Sequence, residues 1–321
     1  MVASSEQVLV VDEALAGIRL VDYLERVCAP IRRVDLRWSV AAGKVRVNGM
    51  PGASRLRLRP GDVVQIVRDG LMPRPEAPPP RPEVLHETAA ALVLAKPAGT
   101  VTVPDRSGRD AGVHAWLPAL GADLRIVHRL DRDTSGCLLL AKGLAAARHF
   151  DVQFRTGAVQ KTYVALVDGL PLPDAFAIDA WLGEDRRRPG KVVTAAAPGR
   201  GLREAHTDVS VRRRFARHAL LELRPRTGRT HQLRAHLASV GHAIVGDLDY
   251  GGRDLLLSTL KGDYKLRRGV AERPLLRRMF LHAERIVFDD VDGTRVDVHA
   301  PLPADLTIAL QKLDSYDGRR R

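Results

Sequence analysis

The sequence predicts an α+β protein in two modules, with a mixed or antiparallel sheet in the larger one. Three observations carry this. Short apolar runs at strand spacing are interleaved with helical runs, without a regular βαβ alternation. The stretch Pro73–Pro82 contains six prolines and cuts the chain. The length of 321 residues, 45% apolar and 28% charged, suits one sizeable core plus a small module. The expected boundaries are residues 1–70, a Pro-rich linker at 71–83, a large domain at 84–315 and a basic tail at 316–321.

In the first module Leu20, Leu24 and Val27 fall at helical spacing, and Leu36 and Val40 repeat it before Gly43 stops the helix. Lys44-Val45-Arg46-Val47 alternates as a strand, and Asn48-Gly49 is a tight-turn signal. Leu56 and Leu58 alternate again, and Pro60-Gly61-Asp62 turns the chain into Val63–Val67. Proline lacks an N–H donor and fixes φ, so the linker is expected as an extended polyproline II spacer, with an SH3-type ligand as the alternative. Beyond it, strands are expected at Ala91–Ala95, Tyr163–Val167, Thr207–Val211, Ala219–Leu223 and Arg285–Phe288. Helices are expected at Ala111–Leu117, Leu144–Phe154 and His231–Val240.

Charge narrows the partner. Lys+Arg is 51 against Asp+Glu 38, a net +13, and 43 of the 51 are arginine. Such an excess suits a polyanion, and the planar guanidinium fork suits phosphate and base edges. Eight basic residues, among them Arg32, Arg33, Arg37, Lys44 and Arg46, lie between Arg32 and Arg59 against one acid, Asp35. A further basic stretch runs from Lys261 to Arg278. Two distant cysteines, Cys28 and Cys137, exclude a disulfide scaffold and a four-thiolate zinc site and fit a reducing cytoplasm. No apolar run reaches membrane-spanning length, and Met1–Gln7 shows no secretory pattern, so no membrane association is expected. His231 and His236 lack the spacing of a metal motif, and no phosphate-binding glycine loop occurs, so neither metal nor cofactor is expected.

The densest polar string is His128-Arg129-Leu130-Asp131-Arg132-Asp133-Thr134-Ser135-Gly136, running into the apolar Leu138–Ala141. A charged loop feeding a buried strand can hold a reactive side chain rigidly. Asp131, flanked by Arg129 and Arg132, would stay ionised when partly desolvated, fit to act as nucleophile or base. For an isolated aspartate a structural salt bridge is the alternative.

These strings resemble a known family. The first module is similar to an S4 RNA-binding domain, through Arg19–Leu24, Gly43–Gly49 and Pro60-Gly61-Asp62; a ubiquitin-like module is the alternative. It departs from that pattern with Arg32-Arg33-Val34, where a Ser-Arg pair is common. HRLDRDTSG resembles the signature of the RluA-type pseudouridine synthases. Leu94–Gly99, the Lys161-Thr162-Tyr163-Val164-Ala165 segment, Thr227–Leu237, Gly246–Gly251 and Leu281-His282-Ala283 resemble that family's other motifs in order.

The resemblance implies an RNA isomerase, a pseudouridine synthase without a cofactor. It implies Asp131 as the catalytic aspartate, leaving open whether it attacks the sugar or abstracts a sugar proton. Tyr163 would stack on the uracil, Arg229 would pair with Asp131, and Leu233 would line the pocket. Arg129 would fill the space left by a flipped-out uridine. His128 and Lys161 are expected beside the substrate. Large-subunit ribosomal RNA is the favoured substrate of a monomeric, cytoplasmic enzyme. Transfer RNA, or an idle RNA-binding ribosome-assembly factor on the same fold, is the alternative.

Overall fold

The computed structural model describes residues 6–28, 33–41, 43–54, 56–67, 82–103, 112–121, 123–185, 188, 190–261, 264 and 272–317. Arg32, the linker as far as residue 81, Lys265, Arg267, Arg268 and the end of the basic tail lie outside the described residues. The chain divides into two units, Met1–Pro80 and Arg81–Arg321.

In the first unit, β1 (Glu6–Val10), β2 (Val45–Val47), β3 (Met50–Pro51) and β4 (Val63–Val67) form an antiparallel sheet in the order β1-β4-β2-β3. Two helices, α1 (Leu20–Val27) and α2 (Arg33–Ala41), lie between β1 and β2 in the chain. Helix α1 buries Leu20, Val21, Tyr23 and Leu24, which join Leu36, Val45, Val64 and Ile66 in one apolar core. The turn after β2 uses Asn48 and Gly49, both at positive φ. The Asn48 amide caps the turn, donating to Asp62 Oδ1 (2.9 Å) and accepting from the Val63 N–H (2.8 Å). The expected strand at Leu56–Leu58 is instead one bridge, Arg57 to Arg19. Only Leu58 enters the core, while Leu56 stays exposed. Strand β1 was not expected, because its apolar run lies on a sheet edge with Val8 and Val10 outward.

The second unit is built on an eleven-stranded mixed sheet. Its strands are β5 (Glu83–Glu87), β6 (Ala91–Lys96), β7 (Leu124–Ile126), β8 (Ser135–Lys142), β9 (Gln160–Asp168), β10 (Ala175–Glu184), β11 (Val192–Ala195), β12 (Arg203–Arg214), β13 (His218–Pro225), β14 (Leu281–Asp289) and β15 (Arg295–His299). The order is β11-β10-β12-β13-β9-β14-β8-β6-β5, with β7 beside β8 and β15 beside β14. The β8–β14 pair is parallel and the other pairs are antiparallel.

Strand β8 is covered on both faces. Cys137, Leu139 and Ala141 pack with Phe150 and Phe288 on one side, and Leu138 and Leu140 pack with Trp116 and Leu130 on the other. That explains its unbroken apolar run. Helix α4 (Gly143–Thr156) presents Ala146, Phe150 and Gln153, and Phe150 meets Phe288 edge-on at 5.4 Å. The helix expected at Ala111–Leu117 is a 3-10 turn, Gly112–Ala115, followed by the short α3 (Leu117–Leu120) with proline in its first turn. Helix α5 (Gln232–Ser239) starts one residue later than expected, and α6 (Leu257–Leu260) follows. Helix α7 (Ala304–Asp317) was not expected; its Leu306, Ala309 and Leu313 are buried in the main core.

Candidate active site

The sheet register brings the motifs together. In β14, His282 pairs with Ser135 and Ala283 with Gly136, while Ala283 on its other side pairs with Tyr163 of β9. The loop entering β8, which carries Asp131, is therefore set two strands from Tyr163. Gly136 is required here. Its φ is +116°, and a Cβ would lie 2.1 Å from the Ala283 carbonyl oxygen.

The loop itself is pinned on several sides. Buried Thr102 donates its hydroxyl to the Leu130 carbonyl (2.8 Å) and accepts from the Leu130 N–H (3.0 Å). The Arg132 carbonyl accepts from the Gly99 N–H (2.9 Å) and from Lys96 Nζ (3.1 Å). Lys96, 1% exposed, also donates to the Pro97 and Thr100 carbonyls. Burial pushes its pKa down to about 7, against the opposing pull of Asp133 and Asp131. The Thr134 N–H donates to the Asp131 carbonyl (3.1 Å), closing the turn. An aspartate held this way has little freedom to leave its site.

Asp131 opens into a cleft of about 410 Å³, walled by Arg129, Lys161, Tyr163, Arg229, His231 and Leu233 among others. The expected partner of Asp131, Arg229, lines the same cleft, but its side-chain bond goes elsewhere. Arg234, not Arg229, faces it, with Nη1 at 3.7 Å from Oδ2. Arg229 is an exposed wall residue whose Nε donates to the Glu204 carbonyl (3.0 Å). The reason is local. Arg229 precedes α5, and its backbone N–H is tied to the Gln232 side chain (3.0 Å), whereas Arg234 lies inside the helix on its buried face. Gln232 staples this loop, accepting also from the Thr227 hydroxyl and donating to the His206 carbonyl and Thr207 Oγ1.

Arg234 is the hub of the site. It holds Asp247 with two bonds, 2.7 Å and 2.8 Å, reaches Asp249 at 3.3 Å, and lies 4.7 Å over the Tyr250 ring. Burial works against its charge, but the Asp247 bonds outweigh that and hold its pKa above the ordinary value. The charge it offers Asp131 is thus permanent. His231, at φ +52°, points Nε2 to 4.0 Å from Asp131 Oδ1, with Nδ1 at 3.1 Å from the Tyr250 hydroxyl. Burial lowers its pKa, although the Asp131 charge pulls the other way.

The remaining wall groups are kept from competing with Asp131. Burial, then the Asp131 charge, raises the Tyr163 pKa, so the phenol keeps its proton. Burial and the Lys161 charge push His128 down to about 3; its Nε2 accepts from the Leu139 N–H (2.8 Å) and its ring stacks on Phe154 at 4.7 Å. Burial alone brings Lys161 down to about 8. Among the described residues, Asp131 is the only carboxylate on this cleft wall, facing four arginines and a lysine along with Arg234.

Sequence reading missed Arg234, Tyr250 and Lys96 as working parts of the site. A signal for Arg234 existed: a cation one turn before Leu237 on a buried helix needs a buried acid, and Asp247 lies downstream. Among the described residues, no three His, Cys, Asp or Glu groups are placed to hold a metal ion. Arg37, Lys44 and Arg46 of the first unit are exposed, and Arg33 opens α2.

Residues 90–239 match the family model described as RNA pseudouridylate synthase. A ribosomal large subunit pseudouridine synthase C from Vibrio cholerae is 33% identical, over 96% of this chain and 96% of that protein. A ribosomal large subunit pseudouridine synthase D from Xanthomonas campestris is 35% identical, over 98% of this chain and 95% of that protein. The solved structure of human RNA Pseudouridylate Synthase Domain Containing 4 superposes with a TM-score of 0.59 at 28% identity, covering 72% of this chain and 92% of that one. The mixed sheet with few helices is the pseudouridine synthase fold. The chain belongs to the RNA pseudouridine synthase family and is an isomerase.

Proposed function

We propose that this protein converts uridines of large-subunit ribosomal RNA to pseudouridine, with Asp131 as the catalytic carboxylate acting on a uridine turned out of its stack. The observation that carries this is the lone carboxylate of the cleft, held by a pinned loop and faced by a guanidinium that Asp247 keeps charged. Such a carboxylate can attack C1′, or take a sugar proton, as the N1–C1′ bond breaks. The freed uracil rotates and rejoins through C5, and the C5 proton is exchanged for one at N1. Atoms balance without a cofactor. Tyr163 supplies a ring face on which the detached base can stack, an interaction worth ~1–3 kcal/mol that tolerates rotation. Extruding a stacked uridine costs a few kcal/mol, and Arg129, exposed on the cleft wall, would fill the space it leaves.

The ribosomal substrate is favoured by the relatives' names, and the basic first unit, read as an S4-like RNA-binding domain, supports an extended RNA footprint. The enzyme is taken as a cytoplasmic monomer. No described helix is long and apolar enough to cross a membrane. The test is tritium release from in vitro transcribed large-subunit ribosomal RNA labelled at uridine C5. Release by the protein, and none by Asp131→Asn, is expected. Release only from transfer RNA would move the substrate assignment, and release from neither would leave an RNA-binding factor.

A further inference from the structure

Lys161 stands apart from the other cations of the cleft. Arg155 is paired with Asp151 (3.2 Å), Arg226 with Asp208 (2.7 Å), and Arg229 with a carbonyl. Arg129 is open to water. The Lys161 ammonium has no hydrogen bond or ion pair among the described residues, while the backbone of Lys161 belongs to the β9–β14 ladder. Its Nζ lies under the Thr227-Gly228-Arg229 turn, 3.7 Å from where a Cβ on Gly228 would stand. A withdrawn, unpaired ammonium is costly, and folds keep such charges only when something pairs with them.

We infer that Lys161 binds a phosphodiester oxygen of the target uridine, so that the RNA supplies the counter-charge the protein withholds. This rests on the function proposed above and adds the nucleotide's anchoring point. A uracil carbonyl would accept a hydrogen bond but leave the charge uncancelled; phosphate is the anion RNA offers. Lys161 and Tyr163 lie two residues apart on one face of β9, about 7 Å at the rise of a strand. A nucleotide whose base lies on Tyr163 then brings its backbone to Lys161.

At neutral pH the amine is protonated and ready for phosphate. Of the other titratable groups on the wall, His128 and His231 are shifted down and Tyr163 up, so none of these three changes charge between pH 7 and 9. Arg226 and Arg234, each held above its ordinary value by hydrogen bonds to an aspartate, stay cationic there.

The test uses the full chain and unmodified large-subunit ribosomal RNA made in vitro, comparing Lys161→Met with Lys161→Arg. In Lys161→Met, KM and Kd should rise about tenfold with kcat largely retained, and the slope of log affinity on log salt should flatten by about 0.7–0.9. Lys161→Arg should keep both values, and should abolish the weakening that the unaltered protein shows above pH 8. Without RNA, Lys161→Met should be at least as heat-stable as the unaltered protein, since it loses an unpaired charge; a structural role would lower its Tm. An unchanged Kd and salt slope in Lys161→Met would overturn the inference. So would a loss of kcat at unchanged KM, which would make Lys161 a proton-transfer group. If no uridine is converted, the proposed function fails, while Kd and its salt slope still decide the phosphate contact.

Discussion

Replacing Arg234 and Arg229 separately by lysine tests which guanidinium supports the chemistry at Asp131. Arg234 makes two charge-assisted bonds to buried Asp247 and reaches Asp131 and Asp249. A lysine lacks the planar two-nitrogen fork and cannot reproduce the two parallel bonds to Asp247 while also reaching Asp131. The lost bond to a charged, buried partner is worth about 1.5–3 kcal/mol. In a unit of this size, a loss of about 2 kcal/mol lowers Tm by about 4–8 °C. Asp131 also loses a fixed cation, so kcat should fall at least tenfold, about 1.4 kcal/mol of barrier. Arg229→Lys loses one exposed bond to the Glu204 carbonyl, worth about 0.5 kcal/mol or less, and its Tm should move by no more than about 2 °C. Both variants are assayed by calorimetry and by single-turnover tritium release at saturating RNA, which isolates chemistry from binding. A collapse of turnover in Arg229→Lys with normal turnover in Arg234→Lys would refute the assignment.

Four further outcomes are expected. Asp131→Asn should show no tritium release with RNA affinity within about tenfold of the unaltered protein; Tyr163→Phe should keep that affinity, and an equal loss in Tyr163→Phe and Tyr163→Ala would remove the stacking role. His128 is neutral in the fold down to about pH 3, whereas the unfolded chain takes up its proton near 6.5, so stability falls as pH drops through that window, by up to ~1.4 kcal/mol per pH unit for this group. His128→Gln, whose amide oxygen can still accept from Leu139, should flatten the stability–pH curve between those limits, and a curve of unchanged slope would show that His128 does not stay neutral. A chain beginning at Arg81 retains every cleft residue and the cores of the large sheet, so it should turn over saturating RNA but with a higher KM and a shallower salt slope; equal affinity with equal slope would remove the first unit from RNA binding.

Much of the site was legible in one dimension because its parts lie in contiguous strings. Asp131, the turn after it and the apolar strand β8 appear together, since a strand buried on both faces must be apolar throughout. The Asn48-Gly49 turn was legible because its positive φ angles restrict the residues allowed. Helices α4 and α5 show as helical runs ended by glycine. Strands β10, β11 and β15 were not foreseen, since each has solvent-exposed positions along its length and so carries no continuous apolar run.

The sequence alone determined which residue types are available: two carboxylates, Asp131 and Asp133, in a cationic loop, a lysine and a tyrosine two apart on a strand, and two arginines five apart. Only the tertiary structure shows which arginine faces the carboxylate most directly. Both lie in the same string, but a side chain's direction depends on where the helix begins and on what lies across from it. Arg229 meets a carbonyl of β12, and Arg234 turns inward because Asp247 and Tyr250, reached through a different loop, neutralise and cover it. A buried charge goes where its counter-charge is, and that location is a property of the fold.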